Sequence, residues 1–230
     1  MRPIFSKLAL TQLVNLVSIV IICLNRIVEI VYKITMSKQV KLNTIRIIGG
    51  EWRGRRIKVP QVDGLRPTID RVRETLFNWL MHDTVNMRCL DLFAGSGVLG
   101  LEALSRGAKE TCFIEMNTLA VNNLLDNLNQ LLGAEKSKST TVIQRSAIDF
   151  LRDSPALPYD LVFIDPPFQS DLISSTLELL SKNGWLSASA IIYLEQPVKT
   201  ALPIVADSWE LHRQGKAGQS EFFLYRVSSL

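Results

Sequence analysis

Three short apolar runs in this chain carry a carboxylate at or near their ends. Arg88-Cys-Leu-Asp-Leu-Phe93 holds Asp91, the run from Thr111 ends at Glu115, and the run from Tyr159 ends at Asp165. Each has the length and composition of a buried strand, and a helical pattern follows each one. Helices are predicted from Val98 to Arg106, closed by Gly107, and from an Asn117 cap to Gly133. Another runs from a Ser170 cap to Ser181, and an earlier one from a Thr68 cap to about Met81. Thr141–Gln144 and Ala190–Glu195 read as further strands. Short buried strands alternating with helices predict an α/β, doubly wound, mostly parallel sheet. Trp209–Arg213 and Phe222–Val227 resemble a closing hairpin that adds one antiparallel strand, for seven in all.

In such sheets ligands bind beyond the carboxyl ends of the strands, where the three acids converge. Gly95-x-Gly97-x-x-Gly100 fits a dinucleotide fingerprint, with Glu115 placed as a ribose-binding acid. Asp91 argues against a nicotinamide dinucleotide. A carboxylate directly beneath the glycine turn repels a pyrophosphate and favours a cationic ammonium, as in a methionine moiety. The expected fold is therefore Rossmann-like, of the S-adenosylmethionine-dependent methyltransferase kind, with that molecule as cofactor. Asp91 and the turn Phe93, Ala94, Gly95, Ser96 and Gly97 are its candidate contacts, with Glu115 on the ribose hydroxyls and Met116 and Ala147 nearby. Asp149 has two readings, as an acceptor for the adenine amine or as an acid stabilising its own helix N-terminus.

Asp165-Pro-Pro-Phe168 is the most specific feature. An amine on an aromatic ring is a poor nucleophile because its lone pair is delocalised. The Asp165 carboxylate and a prolyl carbonyl, from Pro166 or Pro167, are suited to hold both N–H groups and turn the lone pair toward a methyl donor. The prolines pre-position these acceptors, and Phe168 offers a face for an extruded base. Asp165 is also a candidate to take the proton after transfer.

Charge is unevenly spread. Residues 37–73 carry ten Lys/Arg against three Asp/Glu, whereas residues 74–230 hold twelve against eighteen. A local basic excess interleaved with Trp52, Ile57 and Val59 suits a polyanion footprint beside a catalytic body. The residues from Asn43 to Pro60, around Gly49-Gly50 and Gly54, suggest a short hairpin or extended arm. Cys23, Cys89 and Cys112 show neither metal spacing nor disulfide pairing, which points to a reducing, cytoplasmic setting and no metal. Leu8–Asn25 is uncharged and sits at the lower edge for a membrane span. Thr11, Gln12, Asn15 and Ser18 weaken it, and Met36-Ser-Lys reads as a natural start. Residues 1–36 are thus expected to be a hydrophobic extension upstream of the true start, with a membrane anchor as the alternative. Residues 37–66 then form a basic arm, and residues 67–230 the catalytic domain.

Ile48-Gly-Gly-Glu-Trp-Arg-Gly-Arg-Arg56, Arg66-Pro-Thr-Ile-Asp-Arg-Val-Arg-Glu-Thr-Leu-Phe-Asn78, Asp91-Leu-Phe-Ala-Gly-Ser-Gly-Val-Leu-Gly100 and Asp165-Pro-Pro-Phe168 closely resemble the bacterial RsmD-type 16S ribosomal RNA guanine-N2 methyltransferases. Asn183-Gly-Trp-Leu186 and Gly218-Gln-Ser-Glu-Phe-Phe-Leu-Tyr-Arg226 fit as well. The resemblance covers about residues 45–227 and leaves out residues 1–35. It implies methylation of guanine 966 (ribosomal RNA numbering) at N2 in an assembling 30S subunit. It assigns cofactor binding to Asp91, Gly95, Gly97 and Glu115, and base handling to Asp165–Phe168. Arg53, Arg55, Arg56 and Lys58 would hold RNA phosphates, and Arg66, Arg71 and Arg73 would border the mouth of the site. The alternatives are a DNA or RNA adenine-N6 or cytosine-N4 methyltransferase, since the Asp-Pro-Pro turn suits all these amines, and a non-catalytic RNA-binding protein on the same fold.

Overall fold

The computed structural model describes residues 42–60, 70–133, 140–167 and 172–228, together with Arg26. The expected N-terminal extension, Arg66, the Thr68 and Ser170 caps and Phe168 lie outside the described residues. The chain divides into two units, 1–41 and Leu42–Leu230, and the second holds both sheets. Among the described residues no helix is long and apolar enough to cross a membrane.

The smaller sheet is an antiparallel pair, β1 (Leu42–Arg46) and β2 (Arg56–Pro60), with Ile45 opposite Ile57. Alternation along these strands buries Ile45, Ile57 and Val59 and exposes Thr44, Arg46, Arg56 and Lys58. One apolar face must meet a core. It does so, since Ile45, Ile47, Trp52, Ile57 and Val59 join the same apolar cluster as Phe77, Leu101, Phe113 and Phe163. The basic arm is thus a packed hairpin whose charged face looks outward.

The larger sheet contains β3 (Arg88–Asp91), β4 (Glu110–Glu115), β5 (Thr140–Gln144), β6 (Tyr159–Ile164), β7 (Leu186–Pro197), β8 (Trp209–Ala217) and β9 (Ser220–Val227). Its order is β5-β4-β3-β6-β7-β9-β8. The strands from β3 to β7 pair in parallel, and β9 enters antiparallel between β7 and β8. The seven strands and the single antiparallel member match the expectation. Successive residues alternate between two buried faces. Cys89, Phe113, Leu161, Phe163, Ile191 and Tyr193 face the hairpin, α1 (Asp70–Trp79), α2 (Val98–Ser105) and α3 (Thr118–Leu132). Leu90, Ile114, Val162, Ile164, Ile192 and Leu194 face α4 (Ala147–Leu151) and α5 (Leu172–Lys182). Burial on both faces explains why these strands read as continuous apolar runs.

A buried ionic cluster ties the hairpin to the sheet domain. The Arg73 and Glu102 side chains are both fully buried and pair at 3.2 Å. The Arg73 guanidinium also donates to Asp70 at 2.6 Å and to the Arg46 carbonyl. Glu102 accepts the backbone N–H groups of Ile48 and Gly49, and Arg106 approaches from one turn on. Burial raises the Glu102 pKa, while the Ile48 N–H, Arg73 and Arg106 act against that rise. Arg73 was expected at the RNA-facing mouth. Its burial and its three partners make it a structural clasp instead, while Arg71 two residues earlier is exposed.

Removing one member of a buried pair strands the other's charge, whereas replacing both is far milder. Arg73→Met is expected to destabilise the protein by about 3–5 kcal/mol. Adding Glu102→Leu should recover only part of that loss in urea unfolding followed by tryptophan fluorescence, because the Ile48 and Gly49 N–H groups lose their acceptor. An Arg73→Met variant as stable as the parent would refute the clasp.

Candidate active site

The carboxyl ends of β3, β4 and β6 lie side by side because β3 pairs with both neighbours. Asp91 closes β3 on the hairpin-facing side, abreast of Phe113 and Phe163. It is 2% exposed. Its Oδ2 accepts the Gly100 N–H at 3.1 Å, so it caps the first turn of α2 from outside the helix. Burial pushes its pKa up to about 7, with the nearby Glu115 adding to the rise and the Gly100 and Phe93 N–H groups opposing it. A carboxylate with a raised folded-state pKa weakens the fold as pH climbs from about 4 to about 7, by roughly 4 kcal/mol at the end of that window. The fold therefore carries a cost here that a cationic ligand group would offset.

Glu115 ends β4. Its Oε2 accepts the Gly95 N–H at 2.8 Å and its Oε1 accepts the Asn117 N–H at 2.7 Å. Each oxygen keeps a further lone pair, so a vicinal diol fits without displacing either bond. Between the two acids runs the turn from Phe93 to Gly97, pinned by Ala94 N–H to the Ile114 carbonyl and Gly97 N–H to the Ala94 carbonyl. Gly97 has φ +79°, and a Cβ there would overlap Leu124. A Cβ on Gly100 would overlap the Phe113 ring. Gly97 thus serves the close packing of α2 against α3, and Gly100 its close packing against the sheet. Ala94 and Ser96 are buried, Phe93 is half-buried, Ala147 is buried, and Met116 stands exposed beside Glu115. The donor set fits S-adenosylmethionine, which has a cationic ammonium at one end and a ribose diol farther along.

Asp149 resolves toward its own helix. Ser146 Oγ donates to Asp149 Oδ2 at 2.7 Å, the Asp149 N–H donates to Ser146 Oγ, and Arg152 pairs with Asp149 Oδ1 at 2.8 Å. Ser146 thus caps the helix, and Asp149 adds a side-chain hydrogen bond and an ion pair.

Asp165 follows β6 directly, with Pro166 buried and Pro167 exposed at the surface. A fourth acid also stands at this rim. Glu195, near the end of β7, is 4% exposed and accepts a 2.7 Å hydrogen bond from Tyr193. The sequence held the signal, since Ala190–Glu195 is another apolar run ending in a carboxylate.

Of the basic residues, Arg53, Arg56, Lys58 and Arg71 are exposed. Arg55 is exposed too, but its guanidinium donates to the Leu131 and Gln130 carbonyls, capping the C-terminus of α3. Cations there meet the negative end of the helix dipole. Asn127, on α3, was missed. Its side chain exchanges two 2.9 Å hydrogen bonds with the Lys58 backbone and reaches the Ser96 carbonyl at 3.4 Å, linking hairpin, helix and glycine turn.

A cavity of about 480 Å³ lies elsewhere, lined by Arg88, Glu110, Thr140 and Tyr159, the first residues of four strands. That is the amino edge of the sheet, opposite to where such folds hold ligands. Among the described residues no group of three or more His, Cys, Asp or Glu is placed to hold a metal.

Residues 45–226 match the family model described as Conserved hypothetical protein 95. The chain is 50% identical over 182 residues to ribosomal RNA small subunit methyltransferase D of Escherichia coli K12, covering 79% of this chain and 89% of that protein. It is 44% identical over 183 residues to the Haemophilus influenzae protein of the same name, covering 79% and 93%. A solved structure of an E. coli methyltransferase, yhhF, superposes with a TM-score of 0.74 at 45% identity, covering 82% of this chain and all of that one.

The raised pKa of Asp91 has a measurable consequence. A cation bound to the ionised form competes with the proton, so S-adenosylmethionine affinity is expected to be roughly tenfold weaker at pH 6 than at pH 8, and level above. Calorimetric titration across this range should show the slope, and Asp91→Asn should flatten it. A pH-independent affinity in the parent protein would show that Asp91 is already ionised at pH 6, and an unchanged affinity in Asp91→Asn would remove it from the cofactor site.

Proposed function

We propose, for a chain that belongs to the family of ribosomal RNA small subunit methyltransferase D, that it transfers a methyl group from S-adenosylmethionine to the exocyclic N2 amine of a guanine in 16S ribosomal RNA. On this reading the target is guanine 966, presented in an assembling small subunit, as the resemblance in sequence implies. The observation that carries this reading is the union, on adjoining strands, of the Asp91–Glu115 site with the Asp165-Pro-Pro turn. The cofactor supplies an electrophilic methyl group on a sulfonium. Asp91 would hold its ammonium and Glu115 its ribose hydroxyls. Asp165 and a prolyl carbonyl would accept the two N–H groups of the target amine, orient its lone pair and receive its proton. Phe168 remains the proposed stacking surface, and Arg66 the proposed neighbour of the mouth. Arg53, Arg56, Lys58 and Arg71 would meet phosphates, which position the RNA without reading its sequence.

Asp165→Ala is expected to lower methyl transfer by about 10²–10⁴-fold while leaving S-adenosylmethionine affinity within a few-fold of the parent. Primer extension across the target guanine in 30S particles, from a deletion strain with and without the gene restored, tests the substrate. A modification that persists without the gene would rule it out.

The outward face of the hairpin adds a second expectation. Removing one phosphate-binding cation should reduce the slope of log affinity against log salt by about 0.7–0.9. Substituting Arg53, Arg56 and Lys58 by alanine is expected to shallow the slope by roughly two units. Arg55→Ala should instead act on stability, because the helix cap disappears with its guanidinium. An unchanged salt slope in the triple variant would remove the hairpin from the RNA footprint.

A further inference from the structure

The four strand ends at the rim supply more carboxylates than the chemistry above uses. Asp91 and Glu115 answer to the cofactor and Asp165 to the amine, which leaves Glu195. Its placement is defined by the sheet. β6 and β7 pair in parallel, with Phe163 opposite Tyr193 and Ile164 opposite Leu194. The next residues along the two strands are Asp165 and Glu195. Tyr193 and Glu195 lie on the same face of β7, and the Tyr193 ring meets Phe163 edge-on at 6.4 Å. Asp165 therefore leaves β6 on the side where Glu195 stands. The Asp165 charge also reaches Tyr193, where it adds to the burial that raises the phenol.

Glu195 is fixed rather than loose. Tyr193, fully buried, donates to its Oε2 at 2.7 Å, and β9 flanks it with Phe222 as its cross-strand partner. One phenolic hydroxyl occupies one lone pair of a carboxylate that has about four. A buried acid is costly to a fold, and at a strand end between Tyr193 and Phe222 an apolar side chain would pack without that cost.

The chemistry of amino-bearing bases says what a second acceptor beside Asp165 is suited to read. In guanine the ring nitrogen next to the exocyclic amine, N1, carries a hydrogen, so N1 and the amine present adjacent donors. In adenine and cytosine the ring nitrogen beside the amine is an acceptor. Two neighbouring carboxylates match the first pattern, whereas the second would set a lone pair against a carboxylate oxygen. We propose that Glu195 accepts the N1–H of the target guanine while Asp165 holds the N2 amine, making Glu195 the residue that selects guanine over other amino bases. This inference rests on the guanine-N2 reading above.

The base 2-aminopurine keeps the 2-amino group but has an acceptor at N1; it also lacks the 6-oxo group, so the comparison with Glu195→Gln assigns the preference to N1. Small-subunit particles would be reconstituted with guanosine or 2-aminopurine riboside at the target nucleotide, and initial methylation rates compared. The wild-type protein is expected to prefer guanosine by about 100-fold or more, as sites built around a hydrogen bond do. Glu195→Gln keeps the shape and the Tyr193 partner but can donate as well as accept. It should lose roughly 10–100-fold on guanosine, and its preference should shrink to within about tenfold. Cofactor affinity should stay within a few-fold. Equal wild-type rates on the two bases overturn the proposal without any variant, so it does not depend on Glu195→Gln folding. An N2-methylguanosine product with the preference intact in Glu195→Gln overturns the role of Glu195 alone. An N6-methyladenine or N4-methylcytosine product from native particles overturns the guanine-N2 reading, and this inference with it.

Discussion

The carboxylate of Glu102 is the joint on which the rest of the molecule is hung. From the first turns of α2 it reaches the hairpin backbone at Ile48 and Gly49, the α1 guanidinium of Arg73 and its own helical neighbour Arg106. Three segments far apart in sequence meet on one side chain, and the glycine turn lies at the start of the same helix. Such a cluster does not outdo an apolar core in stability. What it fixes is orientation, since a guanidinium and a carboxylate each admit partners only in defined directions.

Periodicity decided most of the fold. The parallel strands read as unbroken apolar runs because helices cover both faces, and the Asn117 side chain caps α3 by accepting the Leu119 and Ala120 N–H groups, as its sequence context suggests. The acids at Asp91, Glu115 and Asp165 were legible because a carboxylate closing an apolar strand is chemically out of place. Glu195 broke the same rule, yet no known motif surrounds it, so it passed for a strand terminus.

What stayed hidden was any role set by long-range partners. Arg73 and Arg71 are two residues apart in one helix, and only the three-dimensional placement of Glu102 sends one inward and leaves the other in solvent. Arg55 and Arg56 are neighbours, but the carbonyls at the end of α3 take up only the first guanidinium. Charge counting treats all four alike. Asp149 is the opposite case, where Ser146 three residues earlier was enough to account for it locally.

The glycines at 97 and 100 carry a lesson about descent. Both are demanded by the packing around α2, Gly97 against Leu124 of α3 and Gly100 against Phe113 of the sheet, whatever else they do. A descendant that had ceased to transfer methyl groups would still need them in order to fold, so the glycine signature would outlive the activity. Asp91 has weaker protection, a single cap on the Gly100 N–H, and its burial is a burden once there is nothing cationic to meet. Along a decaying lineage the acid would be the first letter of the motif to be rewritten, and its presence here speaks for a site under continued use.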